Sequence, residues 1–158
     1  MSVFISHRHC DSSIAYQIAE ELKKYRITPS IIDIKDDIDG ILITDIILHE
    51  LNKCTHLIAV ISDDTVGSWW VPFEIGIATQ GDKRIVSFDK SYEELPGYLR
   101  KWPVINEYYQ LKYFVNRFNQ DNIFVGRIQE NILEKSASLS VKTASEFHNS
   151  LKSDLGQR

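Results

Sequence analysis

The sequence holds little of what staples, anchors or breaks a fold. Two cysteines, Cys10 and Cys54, among 158 residues are too few for a disulfide scaffold. Neither stands in a C-x-x-C or other ligand spacing, so two reduced, structural thiols and no metal site are expected. There is no basic excess: 18 Lys and Arg against 22 Asp and Glu leave a formal net charge of −4. A phosphate backbone would find nothing to track, and nucleic acid is not expected as a partner. The local patch Lys23, Lys24 and Arg26 reads as a solvated helix end. Long apolar runs are missing too. The greasiest stretch, Ile41 to Leu51, is broken by Thr44, Asp45, His49 and Glu50, and nothing approaches the roughly 20 apolar residues that cross a bilayer. The opening MSVFISHRHCD carries a three-residue apolar run followed at once by charge, which is not a secretory signal. A cytoplasmic protein without a membrane partner is expected. Neither G-x-G-x-x-G nor G-x-x-x-x-G-K-[ST] occurs, nor H-E-x-x-H, nor G-x-S-x-G. Glycine-loop dehydrogenases, P-loop NTPases, zinc proteases and serine hydrolases of the elbow type are therefore not expected.

What is present is an ordinary globular composition, 43% hydrophobic and 25% charged, in a chain long enough for one domain with a core of its own. Val3-Phe4-Ile5 is wholly apolar, as in a strand covered on both faces. Asp11, Ser12 and Ser13 offer N-caps to a helix whose apolar side is Ile14, Ile18, Leu22 and Tyr25. Ile31, Ile32 and Ile34 give a second strand. Residues 42–52 give a second helix, through Ile43, Ile46, Ile47 and Leu51. His56 to Ser62 is the clearest strand and is expected at the centre. A helix from Trp69 to about Gln80 follows, capped by Ser68, with Pro72 tolerated in its first turn. Arg84 to Phe88 is a fourth strand. Alternating strands and helices predict an α/β, flavodoxin-like three-layer sandwich with a parallel sheet of about five strands. Ligand sites of such sheets lie at the carboxyl ends of the strands: Ser6 to His9, Lys35 to Gly40, Ser62 to Ser68, and Asp89 onward. Beyond residue 90 the pattern predicts a short helix near Glu93 to Leu99 and a possible fifth strand. It then predicts a helix starting at Asp121 or Asn122 with Ile123, Ile128 and Ile132 on its apolar side. Residues 1–135 read as the domain and 136–158 as a weakly helical or frayed extension.

One carboxylate stands apart. Glu74 is the only acid between Asp64 and Asp82, and Trp70 precedes it by one helical turn. The pattern alone leaves two readings open: a surface glutamate of an amphipathic helix, or an acid partly desolvated between Phe73 and Ile75 and so altered in proton affinity. Trp70 is likewise either a core anchor or a stacking surface for a flat ring. Ser6, His7, Arg8 and His9 are either exposed loop residues or the edge of a site. His49, His56 and His148 read as structural. A receiver-type aspartate site is not assembled, because His7, Arg8 and His9 stand where its acidic pair belongs.

Taken together, VFISHRHCD, IDIKDDIDG, LIAVISDDTVGSWWVPFEIG and RIVSF resemble a TIR (Toll/interleukin-1 receptor) domain over roughly residues 2–90, in order and spacing. The W-x-x-x-E pair Trp70 and Glu74 is the most specific piece. The resemblance implies an enzyme that breaks the nicotinamide–ribose bond of NAD+, with Glu74 as its catalytic residue. It implies that Ser6, His7, Arg8, Lys35 and Trp70 meet the substrate, and that NAD+ is consumed rather than held as a cofactor. The segment Lys35–Gly40 matches the family's BB loop, which implies TIR–TIR self-association. This chain lacks a proline before Gly40, and it lacks the Phe-Trp pair that many animal TIR domains carry near their C-terminus. As a TIR module with no sensor or coiled coil in the sequence, it resembles bacterial TIR proteins of antiphage defence, the Thoeris type above all. The implied product is a signalling nucleotide, a cyclic ADP-ribose isomer or an ADP-ribose conjugate, acting on a separate effector protein. The alternative is a non-catalytic TIR scaffold.

Overall fold

A computed structural model describes residues 1–32, 40–65, 69–132 and 143–158. Five strands form one parallel sheet in the order β2-β1-β3-β4-β5. They are β1 (Val3–Ser6), β2 (Ser30–Ile31), β3 (His56–Ile61), β4 (Arg84–Asp89) and β5 (Val104–Ile105). Every residue of β3 is buried, as its unbroken apolar run requires of a strand covered on both faces. It pairs with β1 on one side and β4 on the other. Helices α1 (Ser12–Lys23), α4 (Leu111–Ile132) and α5 (Ala144–Asp154) cover one face, and α2 (Gly40–Lys53) and α3 (Trp70–Gln80) the other. The sheet shares its side chains between two cores by the period of two. Val3, Ile5, Ile58, Val60, Val86 and Phe88 meet α1, α4 and α5. Phe4, Leu57, Ala59, Ile61 and Ile85 meet α2 and α3. The α/β flavodoxin-like expectation is met.

The details depart from the sequence pattern where tertiary packing overrides it. Helix α1 stops at Lys23, the chain reverses through Arg26 at φ 62°, and Tyr25 lies exposed beyond the helix rather than on its apolar side. In α2, Ile47 and Leu51 are buried but Ile46 faces out. Strand β2 is only two residues long, and Ile34 lies outside the described residues. Trp69 holds the N-cap of α3, without a side-chain bond; Ser68, the expected cap, lies outside the described residues. In place of the short helix expected near Glu93 to Leu99, a 3₁₀ stretch forms over Gly97–Lys101. Helix α4 begins ten residues before Asp121: Leu111, Phe114, Val115 and Phe118 are all buried, an i, i+3, i+4, i+7 stripe. The preceding turn Tyr108–Gln110 is closed by a Glu107–Gln110 capping box.

Within the 136–158 segment, α5 is a helix capped by Thr143 and Glu146 that buries Phe147 and Leu151 against β4 and α4. His148 of this helix accepts a hydrogen bond from the Ile85 amide at 2.8 Å, where β4 has not yet met β5. Burial pushes His148 down to about 4. The fully buried His56 stacks against Phe114, Phe118 and Phe147 and is held well below its ordinary value by desolvation. Among the described residues no helix is long and apolar enough to cross a membrane.

Candidate active site

The chain runs from β1 outward to β2, then returns past β1 to β3, β4 and β5. The sheet order therefore reverses between β1 and β3, the switch point at which such folds open a crevice. Ser6 ends β1 at that point, and Ser62 follows β3. Helix α3 lies across it. Its Val71, Ile75 and Ala78 anchor in the core, and this turns the adjoining stripe of Glu74 towards β1.

Glu74 is 4% exposed, and Ser6 Oγ donates a hydrogen bond to its Oε2. The surface-glutamate reading is thereby excluded. Desolvation pushes the carboxyl up to about 7, opposed only by the Ser6 hydrogen bond; no cation among the described residues offsets the burial. Trp70, half-buried one turn earlier, sets its ring edge-on to Phe73 at 6.2 Å and packs against the core of that face. It is an anchor with one side still turned outward.

The loop after β1 is braced rather than free. Arg8 donates from its guanidinium to the Asp64 carbonyl, joining this loop to the one after β3. Ser12 Oγ lies 3.3 Å from His7 Nε2 and donates to the His9 carbonyl at 2.6 Å. The structure thus brings together Glu74 and Ser6, keeps Trp70 one turn away on the same helix, and places His7 and Arg8 in the neighbouring loop. Lys35, and with it the Lys35–Asp39 part of the expected assembly loop, lies outside the described residues; Gly40 opens α2.

Sequence reasoning missed a second layer. Asp11, 4% exposed, accepts a hydrogen bond from Ser62 Oγ at 2.8 Å, and the Ser62 amide donates to Thr65 Oγ1 at 2.9 Å. Burial foremost, and Asp64 nearby, push the Asp11 carboxyl up. Cys10, Asp11 and Asp64 bring one ligand atom each within 4.8 Å of one another. No local spacing could have revealed this, since Asp64 stands on a different loop. The Asp-Ser-Thr contacts lock the two loops of the switch point in one register.

A profile of the TIR domain matches residues 3–123. The chain belongs to the TIR-domain family. The match runs beyond the segments legible by eye, through β5 and into α4. Among solved structures, a 2-deoxyribosyltransferase from the psychrotolerant bacterium Bacillus psychrosaccharolyticus superposes with a TM-score of 0.56 at 10% identity, over 70% of this TIR chain and 90% of that one. At that identity the likeness is one of fold. A search of curated proteins gives no significant match.

Proposed function

We propose that this TIR domain cleaves NAD+ at the nicotinamide–ribose bond, with Glu74 as the catalytic carboxylate. The observation that carries the reading is a buried carboxylate whose only described partner is the Ser6 hydroxyl. A carboxylate so desolvated and without a cation costs stability, and such costs concentrate at sites of chemistry. The missing partner is a positive charge, and NAD+ supplies one. Its nicotinamide ring is cationic in the ground state, and the positive charge passes to the ribose as the glycosidic bond breaks. Nicotinamide leaves with the bonding electron pair as a neutral molecule and needs no general acid. The ribosyl centre becomes oxocarbenium-like, as in other glycosidic cleavages. Glu74 stabilises that developing charge more than it stabilises the substrate, which is what accelerates the step. A nucleophile then attacks C1 of the ribose: water, an adenine nitrogen of the same molecule, or a small acceptor. Trp70 offers a ring face, and the loop of Ser6, His7 and Arg8, with Lys35, borders the substrate. NAD+ is a substrate here, and no cofactor is required.

The product in this reading is an ADP-ribose-derived messenger of Thoeris-type bacterial antiphage defence. It is made in the cytoplasm and sensed by a separate effector, with self-association through Lys35–Gly40. The second reading, a non-catalytic scaffold, draws on the exposed Trp69 and Phe73, 88% and 41% accessible beside the site. Incubating the purified protein with NAD+ and following free nicotinamide decides between them. Release that Glu74→Ala abolishes supports the enzyme. No release at high protein concentration, with or without phage-derived triggers, supports the scaffold.

A further inference from the structure

A hollow flanks α3 next to the loops that follow β3 and β4. Its volume is about 310 Å³, and neither Ser6 nor Glu74 lines it. One side is built by Val71, Pro72 and Ile75 of α3, the other by the segment Ser91 to Leu99 that follows β4. It lies at the carboxyl ends of β3 and β4, where open α/β sheets take ligands. Its volume is at the lower end for small-molecule sites, room for a ring system and not for a dinucleotide.

The wall is built in advance. Asp89 accepts from the Ser91 amide at 2.9 Å and from its hydroxyl at 2.6 Å, and Asp63 accepts from the Tyr92 amide at 3.0 Å. The segment is thus tied to the loops after both strands. The lining combines apolar side chains with two carboxylates, Glu93 and Glu94, and among the described residues no cation lines it. Glu94 is paired with Arg100, whereas Glu93 has no cationic partner among the described residues. A concave apolar surface rimmed by one sign of charge concentrates the opposite sign and repels its own.

We infer that this hollow binds a small organic cation, a single aromatic or alicyclic ring bearing an amine or amidinium group. The ring packs between Ile75 and Tyr98, and the charged group faces Glu93. Phosphate-bearing and carboxylate-bearing molecules are rejected by the same rim. The site stands whether or not Glu74 cleaves NAD+.

The test is a titration of the full ¹⁵N-labelled chain with benzamidine, followed by amide shifts, with benzoate as the anionic counterpart. Saturable shifts at Thr65, Ile75, Leu95 and Leu99 are expected with benzamidine and none with benzoate. Glu93→Gln weakens benzamidine about two- to fivefold, an effect that shrinks with added salt. Tyr98→Ala weakens it about two- to tenfold through lost ring contact. Both side chains are exposed, and the spectra themselves report that the variants fold. Equal binding of benzoate, shifts confined to residues outside the hollow, no shifts at all, or unchanged affinity in Glu93→Gln overturns the proposal.

Discussion

Ser6 and Glu74 stand 68 residues apart in the chain and meet in one buried hydrogen bond, a β1 hydroxyl donating to an α3 carboxylate. The contact fixes where the carboxylate points. Desolvation raises the proton affinity of Glu74, and the hydroxyl partly lowers it again by favouring the ionised form. Ser6 was expected to meet the substrate. In the structure its hydroxyl is committed to Glu74, so its effect on NAD+ chemistry runs through that carboxylate.

Glu74→Gln keeps the shape and the acceptor for Ser6 and removes the negative charge. Nicotinamide release is expected to fall by about 10²- to 10³-fold, the scale for losing one preorganised electrostatic group. Circular dichroism should be unchanged. A variant that folds and still turns over at the parental rate removes Glu74 from the mechanism.

The pH profile follows from the same group. Glu74 must be ionised to stabilise the sugar cation, and in the free protein it titrates at about 7. The kcat/KM for nicotinamide release should therefore climb with pH and level off above about 7. The substrate's positive charge pulls the carboxyl back down, so the limb of kcat should lie at lower pH than that of kcat/KM. Initial rates between pH 5 and 9 measure both; a flat kcat/KM across that interval contradicts the assignment.

Much of this was written in the order of residues. The wholly apolar run Val3-Phe4-Ile5 announced β1 as a strand covered on both faces, His56 to Ser62 announced the central strand, and the W-x-x-x-E pair of the family resemblance singled out Glu74. What local pattern could not supply was the partner. Whether Glu74 was solvated or buried depended on Ser6, and whether Asp11 was a cap or a brace depended on Ser62. The pattern starts α4 only at Asp121 or Asn122, because the buried stripe Leu111, Phe114, Val115 and Phe118 is interleaved with Tyr113 and follows directly on Tyr108 and Tyr109, which blurs its period. In α5 the Thr143-to-Glu146 capping box was a start signal present in the sequence and drowned by polar composition around it.

Stability should respond to pH with a sign that the Glu74→Gln comparison isolates. The Glu74 carboxyl is raised in the fold, so between its ordinary 4.5 and about 7 the native state holds a proton that the unfolded chain has lost. Stability from this group is full below that interval and is lost as pH rises through it. His148, lowered to about 4, acts oppositely: it costs stability as pH falls below its ordinary value. The parent mixes the two. The difference between Glu74→Gln and the parent should grow in favour of the variant from pH 5 to pH 8, reaching on the order of 3 kcal/mol at most. Urea melts at several pH values measure it, and a constant difference contradicts the buried, raised carboxyl.

Ser6→Ala removes the hydrogen bond that favours the ionised Glu74. The carboxyl should then titrate higher still, so the kcat/KM limb should move to higher pH. At pH 7 the loss is expected to be about three- to tenfold, and at pH 9 most of the activity should return. If Ser6 instead bound substrate directly, the deficit would persist at every pH and appear mainly in KM. The shape of the profile, not the size of the loss, separates the two roles.

Helix α5 bears on whether the last fifteen residues belong to the folded unit. Phe147 is 2% exposed and stacks with His56 of β3 and Phe114 of α4. Deleting its ring leaves a cavity at the junction of three elements, where the surroundings have little freedom to collapse. Phe147→Ala is expected to destabilise by about 3 to 5 kcal/mol, a large part of the 5 to 15 kcal/mol typical of a domain. A helix merely resting on the surface would lose under 1 kcal/mol. Thermal or urea unfolding distinguishes these outcomes. Arg117, which holds Asp154 through paired bonds of 2.6 and 2.7 Å, provides the control: it is partly exposed, so Arg117→Ala should cost about 1 kcal/mol or less. A Phe147 effect no larger than the Arg117 effect would mean that α5 adds nothing to the core.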